Sequence, residues 1–397
     1  MEISYERENS VSKSIKRILP AIFLVMVFAA VVSLCLQPKE PKVVEESQLT
    51  VVNSCATDYS VIPEYLSSGH LLGNGKIESS DGNYLLISKL TVAGVFREQS
   101  ILLDDERMVA NSVIDQENVY YMLVMKEKDA VQSTDEYDGL SWCALIWIDK
   151  YTDTMTVVDE FPAVGPIKTM DPHDNRLLLS WKDKEGKYLS AYDMDSKQLV
   201  SLLDAEANVG VSKLLAGDIY SCGFLDGADV GELSTTYDSY LGLIDSEGKI
   251  QDKYDCGQYN VHEICTFGNK IYALAHHRKR PGDRLFVAEY DSETQKLKNV
   301  QTYSMPTIGS AKYTSYSTLE ISEKGELQLM FYAPLTWGSN SGLIGTAALV
   351  FDNSAAPTMT VRTAVVTRYY TPVATLSTSG ESRYCFIDGD GTVVYYK

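Results

Sequence analysis

The stretch "AHHRKRPGDR", Ala275 to Arg284, places His276, His277, Arg278, Lys279, Arg280 and Arg284 in one connection of a chain whose formal net charge is −19. Imidazole and guanidinium groups at this density can hold carboxylates, phosphates or sugar hydroxyls through charge-assisted hydrogen bonds. His276, His277, Arg278 and Arg280 are therefore candidate ligand contacts, with the two arginines as donors. Tyr237 and Trp337, from other loops, offer flat faces for stacking. The same residues also fit a solvated basic loop paired with acidic neighbours.

Signatures of catalysis are scarce. The sequence holds no GxSxG elbow, no HExxH and no paired CxxC, so no catalytic residue, metal ligand or cofactor is assigned. "DGDG" at Asp388 to Gly391 resembles a calcium loop, but Thr392 follows and no bidentate Glu is in place; a hairpin turn fits better. "GHLLGNGKI" at Gly69 to Ile77 has Ile where a phosphate loop needs a hydroxyl, and reads as an ordinary turn. Among the cysteines, Cys256 and Cys265 bracket a connection and form the candidate disulfide, with buried apolar thiols as the alternative.

One segment differs in kind. Ile18 to Leu36 is nineteen residues without a charge, the length a helix needs to cross a ~30 Å hydrocarbon layer. Arg7, Lys13, Lys16 and Arg17 precede it and only Lys39 and Lys42 follow closely, a bias that places residues 1–17 in the cytoplasm and the remainder outside. A cleaved signal peptide or an acylated Cys35 fits less well, since the leading segment is long and the bulky Leu34 precedes that cysteine. Residues 37–47, with "EPKVVEE", read as a polar stalk.

Removing the four basic and three acidic residues of the first 38 positions from 35 and 54 leaves a net charge of −20 for the exported part. Nucleic acid is excluded as a partner, because phosphate binding rests on clustered Lys and Arg.

The elements that must position these residues show as a repeat from about residue 48 to 397. Apolar strands run into turns near Gly82, Glu117, Asn175, Gly217, Gly268, Gly325 and Gly380, with spacings of about 35 to 58 residues that average near 50. That spacing suits propeller blades. A third run in several units ends on Asp, at Asp149, Asp193, Asp245, Asp291 and Asp352, and the turn residues after it predict a tight hairpin to a fourth strand. The fold class is accordingly all-β: a single β-propeller of about seven four-stranded blades, six or eight being the neighbouring counts, preceded by one transmembrane helix. The final unit supplies only three strands, Val373 to Ser377, Arg383 to Asp388 and Thr392 to Tyr396. Leu49 to Ser54 is spare, so it is expected to pair beside the last strand and cover the edge.

In repeat form the chain resembles bacterial membrane-anchored β-propeller proteins in general, without the Trp-Asp dipeptide of one propeller family. In such a fold the loops Glu127 to Trp142, Asp226 to Ser239, Ala275 to Arg284 and Pro334 to Gly345 share one rim. The expected function is a binding or scaffold module for a protein, peptide or glycan partner. The alternative is a propeller-type glycan hydrolase with paired carboxylates at the channel mouth; the chain lacks the repeated "SxDxGxTW" turns of sialidase-type propellers.

Overall fold

The computed structural model describes residues 38–397 except positions 61, 66–68, 104–107, 116–118, 128–139, 153, 162–167, 170–173, 183–186, 205–207, 227–237, 323–324, 339, 352–355 and 379–380. The expected tail and span at 1–17 and 18–36 therefore lie outside the described residues, as do Tyr237 and Asp352. Among the described residues no helix is long and apolar enough to cross a membrane.

A compact unit runs from Glu40 to Lys397, and among the described residues its regular structure is β. Two strands come first: β1 (Lys42–Gln48) and β2 (Val51–Cys55). The first sheet then holds β3 (Glu64–Tyr65), β4 (His70–Gly75), β5 (Tyr84–Thr91) and β6 (Gly94–Leu102). The second holds β7 (Met108–Asp115), β8 (Val119–Glu127), β9 (Leu140–Asp149) and β10 (Met155–Phe161). The third holds β11 (Lys168–Thr169), β12 (Arg176–Lys182), β13 (Lys187–Asp193) and β14 (Gln198–Asp204). The fourth holds β15 (Asn208–Ala216), β16 (Ile219–Asp226), β17 (Asp238–Asp245) and β18 (Ile250–Gly257). The fifth holds β19 (Tyr259–Phe267), β20 (Lys270–His277), β21 (Asp283–Asp291) and β22 (Lys296–Ser304). The sixth holds β23 (Ser315–Ile321), β24 (Leu327–Pro334), β25 (Gly342–Val350) and β26 (Thr358–Val366), with β1 added beside β26. The seventh holds β27 (Tyr370–Thr378), β28 (Glu381–Asp388) and β29 (Val393–Tyr396), with β2 beside β29.

The sheets follow one another in a cycle. β4 lies against β7, β7 against β11, β12 against β15, β15 against β19, β19 against β23 and β23 against β27. β2 of the seventh sheet lies against β6 of the first, so the cycle closes. Antiparallel up-and-down sheets repeated around a closed cycle are the β-propeller arrangement.

The packing explains the composition of the strands. Core clusters form between neighbouring sheets: Cys265, Tyr272 and Leu274 of the fifth meet Tyr316, Phe331 and Met359 of the sixth. Middle strands thus bury both faces and lose the usual alternation; the side chains of β4 and β29 are buried at every position. The outer β22 is largely exposed and correspondingly polar.

The expected closure is present. β2 pairs antiparallel with β29, with Val51 opposite Tyr396, Ser54 opposite Val394 and Cys55 opposite Val393. Leu49, just ahead, is buried with Tyr384, Phe386 and Tyr396. The expected Asp turns also form. Asp149 Oδ1 accepts from Tyr151 N at 2.8 Å and Thr152 N at 2.9 Å, Asp193 Oδ1 from Ser196 N at 2.7 Å, and Asp245 Oδ1 from Glu247 N at 3.0 Å. These bonds hold Asp149 and Asp193 ionised below the usual carboxylate range.

Three local readings change. Lys42 to Ser47, in the expected stalk, belong to β1, which pairs parallel with β26 from Lys42 opposite Thr358 to Gln48 opposite Thr363. Its charged, exposed residues suit an edge strand. Gly69 to Ile77, expected as a turn, contains β4. An added Cβ at Gly75 would lie 2.2 Å from Leu86 Cδ1 and 2.4 Å from Asp58 O, so its glycine serves close strand approach. Gly82 then falls between β4 and β5, the second-to-third connection, whereas the other six turn markers fall between first and second strands. The short spacing to Glu117 follows from that shift.

The pairing of β2 with β29 predicts that cysteines placed at Ser54 and Val394, in a Cys55→Ser background, join under mild oxidation, since directly opposed residues lie about 4.5–5.5 Å apart. Non-reducing electrophoresis and mass spectrometry should show a cross-link requiring both cysteines. Its absence in folded protein would remove the closure.

Candidate functional site

Strand direction sorts the connections onto two faces. First-to-second and third-to-fourth turns share one face, here the turn face; second-to-third loops and the links between sheets share the other, the link face. The loop between β20 and β21 lies on the link face, as does Trp337 in the loop between β24 and β25.

The basic loop is built around Asp283, the first residue of β21. Its buried carboxylate accepts from His276 Nδ1 at 2.6 Å and, through its other oxygen, from Tyr316 N at 2.8 Å on β23 of the next sheet. His276 in turn stacks on His262, with ring centroids 3.7 Å apart and planes 10° from parallel. His262 occupies the β-bulge of β19, between Val261 and Glu263, which re-aims its side chain. Burial, with His276 adding, pushes the His262 imidazole down to about 3, so it stays neutral.

The other predicted ligand residues are partly used by the fold itself. His277 packs edge-on against Tyr259 at 4.9 Å, and its Nδ1 accepts from Lys279 N at 3.0 Å. Desolvation, followed by the surrounding arginines and lysine, lowers its pKa. Arg278 donates to Gly257 O, tying the loop to the preceding sheet. Arg284 lies over the Tyr259 ring at 4.1 Å. Lys279 and Arg280 remain exposed.

Trp337 stands 65% exposed at its loop tip. Leu335 N bonds Ser341 O at 3.2 Å across the loop base, and Gly338 takes φ +71 in the tight turn just after the indole. Tyr313, in the link before β23, packs on it at 5.5 Å. Trp337 and Arg280, both read from the sequence as ligand candidates, are exposed, whereas Asp283 and Tyr313 were not singled out and His262 was weighed only as a metal ligand. Asp283 was in the quoted stretch; only its burial marks it.

A second feature is a cavity of about 710 Å³ among the inner strands β3, β15, β19, β23 and β27. Lys213, Glu263 and Glu320 supply its charges, and Ser212, Thr318 and Thr371 its hydroxyls. Inner strands carry bulges at related places, seen in β7, β15, β19, β23 and β27. In β23 the bulge sets Thr318 at φ 58 ahead of Glu320. Burial raises the Glu320 carboxyl to about 7, although a hydrogen bond from the Thr375 backbone opposes the shift. These charges interrupt apolar strands, the one sequence signal that could have found them.

Cys256 and Cys265 are both free. Ile264 joins Cys256 in the core between the fourth and fifth sheets, whereas Cys265, its strand neighbour, faces the core between fifth and sixth. Alternation along β19 therefore points the two thiols to different cores. Burial pushes both up to about 12, leaving them unreactive. Asp388 Oδ1 accepts from Asp390 N at 2.9 Å and Thr392 N at 3.0 Å, as a hairpin turn requires. Among the described residues no group of three or more His, Cys, Asp or Glu is arranged to hold a metal.

No family model matches the sequence, and no curated protein matches it. Solved structures do. The WD40 domain of Pan2 from Neurospora crassa superposes with a TM-score of 0.54 at 8% identity, covering 90% of this chain and 97% of that one. The Dos1 propeller gives 0.47 at 12% identity, covering 88% and 95%. The β-propeller domain of the Trilobed protease from Pyrococcus furiosus gives 0.42 at 12% identity, covering 80% and 86%. At such identities the likeness to the Pan2 domain shows the fold alone: a β-propeller.

The raised Glu320 pKa fixes a pH dependence. Above its ordinary value of about 4.5 the unfolded chain ionises while the folded one does not, so stability is lost as pH rises toward 7. Glu320→Gln should raise the unfolding free energy by up to about 3 kcal/mol at pH 8.5 and change it by less than about 0.5 kcal/mol at pH 4. Urea titrations at the two pH values check this; equal effects would place Glu320 in water.

Proposed function

We propose that this protein is a single-pass membrane protein whose seven sheets are the blades of an extracytoplasmic propeller, acting as a binding or scaffold module for a protein, peptide or glycan partner. The apolar segment 18–36 and the basic residues ahead of it support the anchor and its orientation. The observation that carries the binding reading is Trp337, held 65% exposed on Tyr313 on the link face, with Lys279 and Arg280 exposed on the neighbouring sheet's loop of that face. A fixed exposed indole has surrendered its freedom without gaining burial, and such residues anchor partners.

The cavity favours a second reading. Glu320, with its pKa near 7, and Glu263 resemble the acid and base pair of a glycan hydrolase. Under that reading, glycan cleavage would fall as pH rises through about 7 and vanish in Glu320→Gln, whereas a binding module shows neither.

A photo-crosslinking residue at position 337 of the full-length protein in its native membrane should yield discrete adducts, and the same residue at Phe267, 54% exposed on the turn face, should not. Equal labelling at both positions, or none at 337, would remove the link face as the binding surface.

A further inference from the structure

We infer that the cavity among the inner strands binds a small organic monocation, an amine with an apolar body, with Glu320 holding its ammonium group and Tyr65 its adjoining C–H groups. The inference concerns the ring's interior and does not need the link-face reading. The course of β23 aims Glu320. Leu319 and Ile321, on either side of it, pack in the core between the fifth and sixth sheets. Alternation turns Glu320 the other way, where the Thr375 N–H of β27 bonds its carboxyl. A carboxylate has about four acceptor sites, so one donor leaves most of its capacity unused. Among the described residues no cation is paired with it: burial raises it to about 7 and the Thr375 bond opposes that shift.

The cavity supplies the rest of an amine site. Tyr65, half-buried in β3, lines it, and the phenol is raised to about 12 first by burial and then by Glu320. The ring therefore lies within electrostatic reach of the carboxyl, and a cation between the two gains from both. Pro63, Val211 and Val373 give an apolar wall for the ligand's body. A volume of about 710 Å³ falls in the small-molecule range of roughly 300–1,000 Å³. An inorganic divalent ion fits less well. It takes about six oxygen ligands, and among the described residues no three His, Cys, Asp or Glu side chains are grouped to hold one. The other groups that face Glu320 leave its titration undisturbed at neutral pH. The Cys265 and Cys385 thiols, each pushed up to about 12 chiefly by burial, stay neutral, as does Tyr65. Lys213 and Glu263 line the same cavity and act on Cys265.

The test uses full-length protein in uncharged detergent micelles and three probes of one shape, phenethylamine, phenethyl alcohol and hydrocinnamate, followed by calorimetry. At pH 8 the amine should bind saturably and at least about tenfold more tightly than either other probe. The amine stays protonated, whereas Glu320 gains a proton as pH falls through about 7, so affinity holds above that value and drops by about tenfold per pH unit below it. Buffers of different ionisation enthalpy should accordingly show close to one proton released per amine bound at pH 5.5 and almost none at pH 8. Glu320→Gln should abolish both the preference for the amine and the proton release, and Tyr65→Leu should weaken the amine by about three- to tenfold. A single cooperative thermal transition checks that each variant is folded, and the proton release is read on the unaltered protein. Equal affinity for amine and alcohol, affinity unchanged between pH 8 and pH 5.5, indifference to Glu320→Gln, or no saturable binding would each overturn the inference. So would glycan cleavage that Glu320→Gln abolishes but saturating amine leaves uninhibited, since one carboxyl cannot serve both. Adducts at position 337 bear on the link face alone, so either reading can fail while the other stands.

Discussion

The antiparallel pairing of Val51–Cys55 with Val393–Tyr396 is the constraint on which the other contacts of this fold depend. All four side chains of β29 are buried, so this short terminal strand is held from both sides. Without β2 its outer backbone groups would be unpaired against an apolar surface, a template for association with other chains. The same N-terminal run first covers β26 as β1, then places Leu49 in the core between the sixth and seventh sheets. Closure therefore sets how these two sheets pack, and with them Tyr332, Arg368, Tyr369 and Asp390. Because its partners lie at opposite ends of the chain, the ring gains this stabilisation only after long-range loop closure.

Sheets that bury both faces leave few places for chemistry, and the structure uses the remaining two. One is the inner edge, where bulges interrupt the ladder and allow His262, Thr318 and Glu320 to depart from the apolar pattern. The other is the link face, where connections are free of the ladder. Asp283 shows how such a connection becomes rigid: one carboxylate joins the end of β20 to the start of β23, so the basic loop is fastened across two sheets. Fixed loops on a rigid scaffold are where binding residues gather.

Much of this was legible because it depends on local rules. Turn residues, Asp hairpins and a surplus strand near residue 50 follow from backbone chemistry and from the cost of an open edge. What was hidden depends on partners distant in sequence. Lys42 to Ser47 look like a stalk because charge is what an outer edge strand shows the solvent. His70–Gly75 looks like a turn because Gly73 answers to Tyr59 and Pro63 and Gly75 to Asp58 and Leu86. His276 and Arg278 look like ligand donors until Asp283 and Gly257 O are seen to occupy them. Trp337 is exposed at its loop tip, but the Tyr313 ring that packs on it comes from another connection and was not legible.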